Sequence, residues 1–500
     1  MTKQVLSLFS VIIIYQNCNA QTTIYHDRLF VGTGEYASHT DWDAILRFEQ
    51  AEKISSDTAI DQQYTPNSTV PIFKCYDSNG IKLKFGHGFF YNDSTDELYV
   101  STLFTNKYNA ATENTDTAKG SIAIFDHASQ MINGAHTPAR NIFGDSTGLL
   151  QPHGCWLDKS RDMLYVANTF GDNILVFNNA SKANGNIAPD RIIYHDSIGN
   201  PVYIFIDEEH DIMFVGALPD FKNPWERPSV SIFPQASTIN GNLQPLIRIV
   251  GDSTRLGIAN RTTHNVWYNK HTNMLAVGHH ISELLFFDMK TFNYPNIMGP
   301  PKNYNLAPAK FLMLNEKADT SDYDDWSLYG FHWNIDDDIM YCSLGYTPNH
   351  GGPPPGSPNQ KIAVFSGVSD TTVSGWLAPD RTIYWASGDT FWPPQPIWVD
   401  KIQETLTDIK NLNLNIEGFQ ALPNPAVENI SIHFVSANVQ TVTVRIINEV
   451  GQQLFKENLL AFIGEFNKNI SLSNVSDGIY IVQVITSTGS IEKKIIKERK

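Results

Sequence analysis

The sequence predicts an all-β protein, a six-bladed β-propeller followed by a small Ig-like β-sandwich. Three observations predict it. Short runs rich in Val, Ile, Leu, Phe and Tyr recur between turn residues along most of the chain. A unit of four such runs repeats through the middle, and four strands per repeat is the anatomy of a propeller blade. Beyond about residue 415 the runs alternate apolar and polar positions, as in sheets with one wet face.

The N-terminus opens Met1-Thr2-Lys3, continues with an apolar run over residues 5–15, and reaches Cys18-Asn19-Ala20. A basic start, a short apolar core and small residues at the end form a secretory signal over residues 1–20, with cleavage expected after Ala20. The run is too short to span a bilayer, and no later stretch approaches eighteen apolar residues, so no membrane span is expected. Cys18 lacks the preceding Leu and small residues of a lipoprotein signal. Cleavage leaves Cys75, Cys155 and Cys342, an odd set that fits no zinc or redox spacing, and no disulfide is expected.

Residues 21–402 hold the repeat. Its clearest copy begins at His153 and reads HGCWLD, KSRD, MLYVAN, NILVF and APDRIIY. The first strand recurs as HGFFYN, HGCWLD, VYIFID, HNVWYN, FHWNID and QPIWVD. The first repeat starts at its second strand, and residues 395–400 form an isolated first strand. Joining the two closes a ring of six blades and leaves no unpaired edge. Residues 51–84 hold only one or two strand-like runs, too few for a seventh blade. Residues 403–416 read as a polar linker.

Net charge is −16, with no block of Lys and Arg, which argues against a nucleic-acid partner because phosphate binding needs clustered cations. Tight turns such as DKSRD and DEEHD occupy one end of the sheets. Long connections between second and third strands occupy the other. They carry Tyr36, Phe104, Tyr108, Phe170, Trp225, His279, His280 and Tyr346, the candidate ligand-binding residues. Aligning the first strands on Asn92, Asp158, Asp207, Asn269, Asp336 and Asp400 sets His87, His153 and His264 at one position of three blades, with His332 one residue later. Three neutral imidazoles around an axis could hold Zn²⁺ with an open position. A His before Gly is also an ordinary packing choice, and no carboxylate can be placed beside it. Asp319, Asp322, Asp324 and Asp325 crowd one loop without Ca²⁺-loop spacing, and Arg140, Arg191, Arg248 and Arg381 recur at the fourth strand as structural residues.

Two resemblances follow. The segments QPHGCWLD, MLYVAN, NILVF and GNIAPDRII resemble NHL-type and lactonase-like bacterial propellers, some of which are lyases with axial histidines. Residues 417–500 resemble the type A C-terminal sorting domain of type IX secretion, through Pro423-Asn424-Pro425, Gly451, SLSNVSDGIYIVQV with Gly478, and a final strand with Lys493 and Lys494. That resemblance implies recognition by the translocon, removal by its sortase and, as the common outcome, a lipopolysaccharide conjugate at the outer surface. The expected function is a secreted or cell-surface propeller that binds a ligand, glycan or protein on its loop-rich face. A metal-dependent lyase or hydrolase and a structural surface-layer protein are the alternatives.

Processing follows from the two terminal signals. Protein recovered outside the cell should begin at Gln21 and lack most of the chain beyond about residue 415, as intact-mass spectrometry will read. Deleting residues 417–500 should trap a folded propeller in the periplasm; efficient export of that truncation would contradict the sorting assignment.

Overall fold

The computed structural model describes residues 22–33, 44–49, 51, 54, 59–60, 72–75, 84–104, 120–132, 134–219, 227–256, 263–279, 282–314, 326–346, 360–385, 394–406, 415–448, 453–486 and 489–498. The chain forms two compact units, Tyr25–Gln403 and one that contains Glu404–Lys500.

The first unit is a β-propeller, and its described residues form six sheets. In five of them four strands follow one another antiparallel, as in Cys155–Asp158, Met163–Asn168, Asn173–Asn178 and Arg191–Tyr194. The sixth sheet joins the two ends of the repeat region: Pro394–Leu406 lies beside Thr22–Thr33, followed by Ala44–Phe48 and Ile72–Cys75. Its fourth strand comes from residues 51–84, the stretch too poor in strands for a blade of its own. The closing strand runs on to Leu406, into the segment read as linker.

A fifth strand completes most sheets and has no apolar signature. Gly241–Asn242, Lys302–Tyr304, Gly375–Trp376, Ala59–Ile60 and Gly134–His136 each leave their own sheet and pair in parallel with the fourth strand of the sheet before. Ile142 and Gly185 make the same link as a single bridge.

Cations reinforce these joints. Arg191 Nη1 donates to Ala236 O and Ile239 O of the next sheet, 2.8 Å each. Arg140 does so to Ala180 O (2.6 Å) and Ala183 O (3.2 Å), and Arg47 to Ala128 O and Met131 O (2.9 Å each). Lys310 reaches Val368 O and Asp370 O, and Arg381 reaches Ala51 O and Ile54 O across the closure. Three of the guanidinium groups lie over a second-strand tyrosine of their own sheet, at 5.8 Å (Tyr99), 5.7 Å (Tyr165) and 5.5 Å (Tyr341). The recurring basic residue is thus a clasp between neighbours, consistent with the structural role its sequence position suggested.

The end of the sheets with tight turns satisfies itself. Asp96, Asp162, Asp211 and Asp338 sit at φ of 56°, 54°, 56° and 54°. Each carboxylate accepts from the backbone N–H and hydroxyl of Ser129, Ser181, Ser237 or Ser369 in the next turn of its sheet. The left-handed conformation suits Asp there because its short polar side chain bonds locally. Cys155 and Cys342 are free, buried thiols, and burial pushes the Cys155 thiol up to about 12; the Cys75 side chain lies outside the described residues.

In the C-terminal unit the alternating runs NISIHFV and TVTVRIIN lie on one long strand. Asn429–Asn448 carries Ile416–Leu422 on its first half and Gly478–Thr486 on its second, with Gln453–Ser471 along its other edge and Gly489–Lys497 beside Gly478–Thr486. Phe434, Val444, Ile446, Phe466 and Val482 form its core.

Asp400, in the closing strand, tests the ring. Burial pushes its carboxyl up to about 6, opposed by Arg28, whose Nη1 lies 3.4 Å away, and helped by Asp93 and Asp96. A carboxyl raised on folding favours the native state when protonated, so its contribution is present below about pH 4 and lost as pH rises through about 6. Asp400→Asn should stabilise the protein above that window by on the order of 1–3 kcal/mol and change little below it. Urea unfolding of both proteins on either side of the window decides; an equal effect at both would refute the assignment.

Candidate functional site at the propeller axis

Each inner strand brings one residue to the axis two positions before its turn: Phe90, Trp156, Phe205, Trp267 and His332, with Trp398 from the closing strand. Their rings touch in a circuit. The centroid separations are 5.1 Å for Phe90–Trp156, 4.5 Å for Trp156–Phe205 and 5.4 Å for Phe205–Trp267. The circuit continues at 4.3 Å for Trp267–His332, 4.8 Å for His332–Trp398 and 4.7 Å for Trp398–Phe90. The tryptophans also meet across the middle, Trp156–Trp267 at 5.5 Å and Trp398 at 5.7 Å from each. These are distances of direct ring packing. The axis is plugged at this level.

The position of His332 corrects the sequence alignment. Asn334 pairs with Ile339 as Asp158 pairs with Met163, so the strand ends at Asn334 and not at Asp336. Asn334 Oδ1 accepts from Asp337 N–H (3.4 Å) as Asp158 Oδ1 accepts from Arg161 N–H (3.0 Å), which starts the turn there. His332 therefore matches Trp156 and belongs to the aromatic ring, two residues nearer the turn than the alignment placed it. The ring itself was legible, since the fourth residue of HGFFYN, HGCWLD, VYIFID, HNVWYN and QPIWVD is aromatic in every case.

The histidine level lies nearer the long connections. His153 is buried, and its Nδ1 lies 3.1 Å from Gln151 O, a contact that a neutral ring makes by donating Nδ1–H. Burial pushes this imidazole down to about 4, opposed by that bond. His87 and His264 occupy the corresponding strand positions, and their side chains lie outside the described residues. The glycine after the histidine has a physical cause. A Cβ on Gly88 would stand 2.6 Å from Gly154 Cα, and one on Gly154 would stand 2.6 Å from Val202 O. Adjacent inner strands approach too closely for any side chain, and Ser101 Oγ ties them by donating to His153 O.

Phe170 alone of the candidate ligand-binding side chains is both described and exposed, at 45%. Its ring lies 6.4 Å from that of His153 at an interplanar angle of 19°. The short turn beneath it is fixed by amides: Asn168 Nδ2 donates to Gly148 O (3.0 Å), Leu150 N–H to Asn168 Oδ1 (2.6 Å), and Asn200 Nδ2 to Thr169 O (2.8 Å). His279, expected on the binding surface, is fully buried at its strand end with Nε2 3.2 Å from Leu256 O, because its position faces the sheet interior. Tyr36, Tyr108, Trp225, His280 and the acidic loop with Asp319 lie outside the described residues, as do the side chains of Phe104 and Tyr346.

Burial holds the His332 imidazole at about 3, so this axial ring and the ring of His153 are both neutral at physiological pH. Among the described residues, Trp156 Nε1, His332 Nδ1 and, at the level of the glycines, Asn265 Oδ1 are sealed from solvent without a hydrogen-bond partner. Among the described residues no group of three His, Cys, Asp or Glu is arranged to hold a metal.

In the C-terminal unit one of the expected sorting residues, Asn424, meets the last strand. Asn424 Nδ2 donates to Lys494 O, and Ile496 N–H donates to Asn424 Oδ1, 2.9 Å each, so the Pro-Asn-Pro segment is stapled to the last strand. Lys493 Nζ lies 5.7 Å from the Phe419 ring centroid, and Gly478 opens its strand at a φ of 155°. Gly451 lies outside the described residues. Residues 420–498 match the family model described as the secretion system C-terminal sorting domain. The chain is exported by type IX secretion. It is secreted or held at the outer surface, and among the described residues no helix is long and apolar enough to cross a membrane.

No curated protein matches the chain. Solved structures resemble it distantly. A candidate 6-phosphogluconolactonase of Bacteroides uniformis is 12% identical with a TM-score of 0.38, over 89% of this chain and 99% of that one. A nidogen/laminin complex is 11% identical at 0.38, over 76% and 98%. The Cps50 (Swd1) β-propeller domain of Myceliophteria thermophila is 11% identical at 0.32, over 83% and 98%. The propeller assignment rests on the sheet topology described above.

Chelation separates packing from metal ligation at His153. If the ring only packs, removing divalent metal leaves the melting temperature of the parent unchanged. His153→Ala then costs about 1–3 kcal/mol with and without chelator. A chelator-induced drop in the parent that vanishes in His153→Ala would instead make the imidazole a ligand.

Proposed function

We propose that this protein is a six-bladed propeller, exported with an N-terminal signal peptide and an Ig-like C-terminal sorting sandwich, that binds a ligand at the sheet ends bearing the long connections and performs no chemistry of its own. The sortase is taken to remove the sorting unit and to leave the propeller free or conjugated to lipopolysaccharide. The observation that carries the binding reading is the asymmetry of the two ends. At one end the turns consume their own polar groups through the repeated Asp–Ser locks. The axis offers no passage from that side because six rings fill it. At the other end Phe104 and Ser121, and Leu218 and Ser229, bound long connections that carry Tyr108 and Trp225. Aromatic side chains on one face supply contact area at low entropic cost.

Binding of the full chain to a panel of soluble polysaccharides and outer-surface proteins tests this. The double variant Tyr108→Ala/Trp225→Ala should bind at least about tenfold more weakly, as expected of aromatic anchors, with its melting temperature unchanged. Full affinity in that variant and in Tyr36→Ala/Tyr346→Ala would overturn the reading.

A further inference from the structure

An open sheet edge is where a folded chain can still gain a strand. Most edges of this molecule are blunted. The outermost strands of the propeller sheets, such as Gly241–Asn242, Lys302–Tyr304 and Gly375–Trp376, are two or three residues long. In the sorting unit the edge strand Gly489–Lys497 carries Lys493, Lys494 and Lys497. Ala426 covers its end, donating N–H to Ile496 O (2.8 Å) and accepting from Glu498 N–H (3.0 Å). Gln453–Ser471 is different. It is 19 residues long, and among the described residues it pairs with Asn429–Asn448 alone, which leaves its other edge without a strand. Leu459 and Phe462 pack against the core, so Leu460 and Ile463 between and beyond them face away from it. Leu460 is 79% exposed and Ile463 56%, with Val439 at 63% on the strand beside them.

The order of residues along this edge selects its occupant. Ala461 sits at a φ of 49°, and the exposed positions change parity there. Before it Leu454, Lys456, Asn458 and Leu460 face outward; after it Ile463, Glu465, Asn467 and Asn469 do. Two copies laid antiparallel, with the two-fold axis between Leu460 and Ala461, therefore match outer face to outer face on both flanks. Lys456 then lies opposite Glu465 of the second copy, twice by symmetry, and Asn458 opposite Ile463. On the inner face Phe455 meets Phe466 and Leu459 meets Phe462. Leu460 and Ile463 of both copies gather over the axis, since diagonal neighbours also reach each other across a ladder. A slip of two residues sets Lys456 against Asn467 or Ile463 and loses both ion pairs. We infer that the occupant is a second copy of this chain, added edge to edge along Gln453–Ser471, so that the sorting units form a two-fold dimer. The inference stands apart from the ligand reading of the propeller.

The experiment uses full-length protein and sedimentation equilibrium over a range of concentrations. The parent should show a reversible monomer–dimer equilibrium. Lys456→Glu sets like charges opposite each other at both sites and should weaken the dimer at least about tenfold, with the melting temperature little changed. Lys456→Glu/Glu465→Lys restores opposite charges and should return the dimer to within about threefold of the parent. Register is read by oxidising Lys456→Cys/Glu465→Cys. The two positions lie about 30 Å apart along one strand, so a disulfide between them joins two copies. Covalent dimer should form in that variant and in neither single variant nor the parent. Glu465 gives up a 3.0 Å contact with His433 in the exchange variant. If that variant fails to fold, Lys456→Glu and the cysteine pair carry the test. A parent that stays monomeric up to roughly 100 µM overturns the inference. So does a dimer that Lys456→Glu leaves intact, a folded exchange variant that fails to restore it, or a cysteine pair that links no more than its single variants; association then uses another surface.

Discussion

The propeller depends on one closure. Trp398 reaches the axis only when residues from the far end of the repeat region lie beside Thr22–Thr33, and it then contacts Phe90, Trp156, Trp267 and His332. Each of those contacts spans at least sixty residues of sequence, so none helps the chain until the ring is whole. Aromatic pairs of this kind contribute about 0.5–1.5 kcal/mol beyond their buried area. Arg381 closes the same seam at the outside, on Ala51 and Ile54, and donates to Tyr341, whose hydroxyl donates to Asp27 at 2.5 Å. Inner plug and outer clasp therefore fail or form together, and the arrangement leaves no free inner edge at either chain end.

How much of this was legible follows from which forces are written in side chains. The antiparallel strands announced themselves because each buries an apolar face, and the closure followed from counting one orphan strand at each end. The parallel fifth strands did not: Gly241–Asn242 and Gly375–Trp376 are held by backbone bonds and carry no apolar pattern. The fourth strand of the closing sheet, Ile72–Cys75, was hidden for the related reason that four residues give too short a pattern to stand alone. The sorting staple could be placed in sequence at Asn424 and Lys494, but that the Asn amide bonds the backbone on both sides of Ile495 needed coordinates.

The misplacement of His332 shows what a pattern cannot resolve. In the run Asn334-Ile335-Asp336-Asp337-Asp338 four residues can cap a turn, and apolar spacing alone favours none. The local backbone decides, through Asn334 Oδ1 at the start and Asp338 at a φ of 54° at the end. Two positions of shift turned a supposed member of the histidine level into a member of the aromatic one, and with it the chemistry available at the axis. His87 and His264 share the position of His153 when counted back from the turn, their side chains lie outside the described residues, and the glycine after two of the three is explained by the close approach of the strands.

The axial plug and the closure are physically the same object. Trp156 belongs to the third sheet, Trp267 to the fifth and Trp398 to the closing strand, so their mutual contacts join segments that meet only in the finished ring. Whatever loosens the seam therefore loosens the plug. The Asp400 carboxyl lies in the same closing strand as Trp398, and burial disfavours its ionised form, so its ionisation costs stability at the strand on which the axial packing depends.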